Sequence, residues 1–115
     1  MVRIEQKNNK MIANNLEPRY LTHPGEIIKD ELESRGISQR RLAAEIGVPA
    51  SQLNEVLNGK RPLSAEMALL ISQALGIAPL PLLSLQMKYN LLSAKRNKPF
   101  SEQLKKISRI SAAVF

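Results

Sequence analysis

Between Gln39 and Arg61 the sequence gathers side chains suited to reading and holding a polyanion: Gln39, Ser51, Gln52, Asn54, Glu55 and Asn58, then Lys60 and Arg61. Hydroxyls and carboxamides donate and accept, so they can match the pattern on base edges, whereas Lys and Arg mainly hold phosphates. The means for bond-breaking chemistry are missing. The chain has no Cys and one histidine, His23, and its acids are scattered. Without a nucleophile-base pair or a cluster of metal ligands, the expectation is no catalytic residue, no metal and no cofactor. His23, just before Pro24, reads as a helix cap.

Spacing turns this inventory into a geometry. At 100° per residue, Ala50–Asn58 places Leu53, Val56 and Leu57 on one face and Ser51, Asn54, Glu55 and Asn58 on the other, with Ala50 at the start and Gln52 at the flank. The outer face is polar but scarcely charged, as a base-reading helix requires, and its first residues are those expected in a major groove. Gln39 opens the preceding helix and Lys60 and Arg61 follow the reading helix, so all three are expected to clamp phosphates.

The elements that must position this face are legible on either side. Ser38 caps a helix over 39–46, and Gly47 ends it with the left-handed backbone of a tight turn. Ala43 gives the small side chain needed where two steeply crossed helices approach. Leu42, Ile46, Val48, Leu53, Val56 and Leu57 fill the wedge between them. Gln39 to Asn58 therefore reads as a helix-turn-helix.

Upstream, His23, Pro24 and Glu26 begin a helix to about Arg35, closed by Gly36. It carries four acids and two bases, so it is expected to face away from DNA. Downstream, Ser64 caps a core helix ending at Leu75 before Gly76, and a fifth helix starts near Pro79 or Pro81 and reaches about Ala94. The fold class is all-α: five helices over 23–94, preceded by an arm over 1–22 and followed by a basic segment over 95–115. In that last segment Leu104, Ile107, Ile110 and Val114 have near-helical spacing, which leaves a sixth amphipathic helix and a frayed tail both open.

Composition agrees with this reading. The 115 residues include only two Tyr, two Phe and no Trp, so the core must be aliphatic. A net charge of +7 suits a nucleic acid partner. The polar start lacks the apolar centre of a signal peptide, and no apolar run approaches a bilayer span, so the expected setting is the cytoplasm, with no membrane partner.

The residues His23-Pro24-Gly25-Glu26-Ile27-Ile28, Gly36-Ile37-Ser38-Gln39, Ala43, Gly47-Val48-Pro49, Leu53-Asn54-Glu55, Asn58-Gly59-Lys60-Arg61-Pro62-Leu63-Ser64, Ala68 and Ala74-Leu75-Gly76 together resemble the HigA-type antitoxins. These are Xre-like helix-turn-helix proteins of the lambda-repressor-like fold. The resemblance covers about residues 23–92. It implies an antitoxin that binds a HigB-like mRNA endonuclease toxin and, as a homodimer on double-stranded operator DNA, represses their shared operon. By position, Ser51, Gln52, Glu55 and Asn58 correspond to the face that the family presents to DNA. The fifth helix, with Leu82, Leu85, Gln86, Tyr89 and Leu92, corresponds to its dimerisation region. Where family members commonly have an aromatic pair early in this helix, the chain has Pro81 and Leu82. A stand-alone regulator of phage or restriction-control type shares the same motif without a toxin, and a pure interaction module that has lost DNA binding shares the same fold.

Overall fold

A computed structural model describes residues 21–110. The arm expected over 1–22 falls almost wholly outside the described residues, as does Val114 at the end of the expected apolar series. Among the described residues there are six α-helices and no strand: α1 (Pro24–Arg35), α2 (Gln39–Ile46), α3 (Ala50–Leu57), α4 (Ala65–Leu75), α5 (Pro79–Arg96) and α6 (Lys98–Lys105). None of these helices is long and apolar enough to cross a membrane.

Helix ends follow from local chemistry. The side chains of Ser38 and Ser64 accept from the backbone amides of Arg41 and Met67, each at 3.1 Å, satisfying donors that would otherwise lack a partner at a helix start. At α1 the cap is His23: its Nδ1 accepts from Gly25 N at 3.0 Å, while Glu26 Oε2 reaches back to His23 N at 3.5 Å. Gly47 closes α2 at φ 73°, where a β-carbon would be strained, and its N–H bonds the carbonyl of Ala43 at 2.9 Å.

The core joins the first five helices. Ile28 and Leu32 of α1, Leu42 and Ala43 of α2, Leu53, Val56 and Leu57 of α3, Met67, Ala68, Ile71 and Leu75 of α4 and Leu82 of α5 form one buried cluster with Leu63. Burying each large aliphatic side chain contributes about 1.5 to 3 kcal/mol, so this cluster sets the mutual orientation of the helices. The closest approach is at Gly25. A β-carbon there would lie 2.5 Å from the carbonyl oxygen of Val56 and 2.6 Å from that of Leu57. The absence of a side chain lets the start of α1 rest directly on the end of α3.

The sixth helix is real but differs from the expected one. It is capped by Asn97, whose Oδ1 accepts from Phe100 N at 3.0 Å, and ends at Lys105. The amides of Lys106 and Ile107 turn back to Gln103 and Leu104 in a tightened final turn. Ile107 and Ile110 therefore fall beyond the helix, 66% and 94% exposed. With no surface to bury them, their spacing does not extend the helix, because short helices depend on packing.

Candidate nucleic-acid interface

The crossing of α2 and α3 buries Leu53, Val56 and Leu57 and turns the opposite face of α3 outward. Ala50, Ser51, Asn54 and Asn58 are exposed there, with Gln52 and Glu55 half-buried at the flanks. The sequence-predicted residues on α3 thus share one surface, and Gln39 adjoins it.

Three hydrogen bonds order that surface. Lys29 Nζ donates to Asn58 Oδ1 at 3.1 Å, Asn58 Nδ2 to Asn54 Oδ1 at 3.1 Å, and Asn54 Nδ2 to Gln39 Oε1 at 3.0 Å. A lysine ammonium can only donate, so it fixes which amide atom of Asn58 faces it, and the direction passes along the row. Gln39 then keeps its Nε2 for an acceptor outside the row. Bonds of this exposed kind contribute about 0.5 to 1.5 kcal/mol each at most, so their main effect is orientation rather than stability.

Lys29 is the residue missed by sequence reasoning. The acidic balance of α1 drew attention away from that helix, yet its Lys29 reaches the edge of the outer face of α3. A usable signal was Gly25, whose missing side chain brings α1 against α3, but 29 residues separate the bonded pair in the chain.

Beyond α3 the two basic residues differ in state. Lys60 is exposed. Arg61 donates from Nε and Nη2 to Glu55 Oε1 at 3.0 and 2.7 Å, and both side chains are about half exposed. Such a pair contributes roughly 0 to 1 kcal/mol, so an incoming phosphate can exchange with the carboxylate. The amides of Lys60 and Arg61 also close α3 by bonding the Glu55 carbonyl at 2.8 and 3.2 Å.

The fifth helix does not present all of its expected contact residues. Leu82 and Gln86 lie inside the chain's own core. Gln86 Oε1 accepts from Leu63 N at 2.7 Å, and its Nε2 donates to Asn90 at 2.8 Å. Leu85, Tyr89 and Leu92 are half-buried on the same side, while Leu80, Met87 and Leu91 are exposed on the other. The Tyr89 ring meets the His23 ring edge-on at 5.0 Å, joining α5 to the cap of α1. Burial pushes the His23 imidazole below its ordinary pKa, against the opposing pull of Glu26.

The helix-turn-helix family profile matches residues 28–82, the span from the middle of α1 to the start of α5. An uncharacterised helix-turn-helix transcriptional regulator of Escherichia coli K12, YddM, is 33% identical over 73 residues, which make up 64% of this chain and 78% of that protein. The chain belongs to the Xre-like helix-turn-helix family. This family comprises DNA-binding regulators and antitoxins, not enzymes. Virulence-associated protein A′ of Dichelobacter nodosus is 41% identical over 70 residues, 60% of this chain; the chain spans only 61% of that relative's length. Among solved structures, the antitoxin HigA of Pseudomonas aeruginosa with the higBA promoter superposes with a TM-score of 0.70 at 29% identity, covering 80% of this chain and all of the antitoxin. The fold is thus that of the DNA-binding Xre-like antitoxins, as the motifs from His23 to Gly76 implied.

Proposed function

We propose that this member of the family is the antitoxin of a toxin–antitoxin pair, which binds a HigB-like mRNA endonuclease and represses the shared operon from a palindromic operator. The observation that carries the DNA-binding half is the ordered, nearly uncharged outer face of α3 in a fold shared with an antitoxin solved on its own promoter.

In this reading Ser51 and Gln52 reach base edges near the start of α3, with Ala50 offering a methyl contact. Asn54 and Asn58 arrive already oriented by Lys29. Gln39 directs its Nε2 to a phosphate on one side of the groove, and Lys60 meets the backbone on the other. Arg61 leaves Glu55 for a phosphate, which frees the Glu55 carboxylate to accept from a cytosine amine. Two copies related by a two-fold axis through α5, using the edge formed by Leu85, Tyr89 and Leu92, place their α3 helices about 34 Å apart, one turn of B-DNA. Leu82 and Gln86 support that edge from within.

The test is a mobility shift on the DNA upstream of the chain's own reading frame, with and without the protein encoded beside it. A shift on that DNA, together with co-purification of a small partner that cleaves mRNA when released, is expected. A shift without any partner favours the second reading, a stand-alone regulator, which the kinship with the E. coli transcriptional regulator supports. No shift refutes both.

A further inference from the structure

The positive charge of this protein is not on its reading head. From Leu21 to Met87 there are six Lys or Arg against seven Asp or Glu, whereas from Lys88 to Ile110 there are seven against one, Glu102. Within α6, Lys105 pairs with Glu102 at 3.6 Å, which still leaves the segment's balance strongly positive. DNA binding draws much of its affinity from cations that neutralise phosphates, commonly six to ten of them. A head with this balance supplies few.

We propose that the end of α5, α6 and the residues to Ile110 form a second, sequence-independent contact to the nucleic acid backbone. This inference rests on the DNA-binding reading above and adds the element that provides its electrostatic term. Almost the whole segment is exposed from Ala94 to Ile110, and α6 packs mainly on α5. The 18 residues of α5 span about 27 Å, so the basic end lies well away from the start of that helix and is free of the aliphatic core. A membrane surface fits less well. Docking there needs a sustained apolar helical face, and α6 offers only Phe100 and Leu104, 42% and 44% exposed, over two turns.

The test is a variant of the full chain with Lys88→Gln, Lys98→Gln, Lys106→Gln and Arg109→Gln, all exposed and outside the reading head. Its affinity for a random duplex and for the chain's own upstream DNA is measured over a salt series. The salt slope is expected to fall by about 3 to 4 per bound protomer on both duplexes if each cation neutralises one phosphate. Between about 50 and 200 mM salt the parent protein then loses on the order of a hundredfold more affinity per protomer than the variant. A second variant with Lys88→Arg, Lys98→Arg and Lys106→Arg should keep the parent slope, which separates charge from folding. Equal slopes for the parent and the glutamine variant overturn the inference. So does binding to phosphatidylglycerol vesicles that is lost in the glutamine variant while its DNA slope stays unchanged. The preference of the parent protein for upstream over random DNA reports separately on sequence reading, so either claim can fail alone.

Discussion

Replacing Gly25 by alanine should destabilise the protein, although the same change near a helix start usually stabilises by reducing unfolded-state entropy. The reason lies in the contact with α3. The new methyl would stand 2.5 Å and 2.6 Å from the carbonyl oxygens of Val56 and Leu57. Ordinary contact needs about 3.4 Å or more, so α1 must withdraw by close to 1 Å from backbone that cannot rotate away. Withdrawal loosens Ile28 and Leu32 against α3, and overpacking of this kind costs about 1 to 3 kcal/mol. At roughly 4 to 8 °C per kcal/mol for a domain of this size, the thermal midpoint should fall by about 5 to 20 °C. The control is Gly36→Ala, where the added carbon meets nothing within 4 Å and only the φ of 68° is strained, at about 1 kcal/mol. Circular dichroism melts of the two variants beside the parent decide the matter. A Gly25→Ala midpoint equal to or above the parent's refutes the close packing of α1 on α3.

Gly47→Val places a β-branched residue at φ 73° and Ala43→Leu overfills a site that is 2% exposed, so each should cost about 1 to 3 kcal/mol in urea unfolding. His23 caps α1 only while neutral, and burial lowers its pKa below the value in the unfolded chain. Its contribution is therefore present above pH 6.5 and is lost as pH falls through the folded pKa, a dependence that His23→Asn, which keeps a cap, should remove from pH-series melts. Lys29→Met should release the amide row without unfolding the protein, read as faster exchange and shifted resonances of the Asn54 and Asn58 side-chain amides by NMR. Lys60→Ala should lower the salt slope of DNA binding by about one per bound protomer while leaving the preference between sequences unchanged.

Much of the scaffold was legible because its signals are local. His23, Ser38 and Ser64 mark helix starts through bonds within three residues, and Gly47 and Gly76 mark ends through a single backbone angle. The inward stripe of Leu53, Val56 and Leu57 follows from helical periodicity alone, and it leaves the opposite face of α3 turned outward. What escaped depends on residues distant in the chain. Gly25 reads as part of a helix entry, but its importance lies in carbonyls some thirty residues away. Gln86 looks like a contact residue on a helix surface, yet it turns inward because Leu63 N needs an acceptor. The apolar spacing of Leu104, Ile107 and Ile110 imitates a helix face, but periodicity does not supply the surface that would bury it. The basic run after Ala94 was visible in the sequence, but its exposure through to Ile110 is a property of the fold.

The central claim is that the outer face of α3 reads bases. It is tested most directly by titrating Ser51→Ala and Gln52→Ala proteins against operator and random duplexes at one salt concentration. The account predicts that operator binding weakens by about 1 to 3 kcal/mol in each variant while random-duplex binding stays at the parent value. Equal losses on both duplexes, or no loss on either, would contradict it.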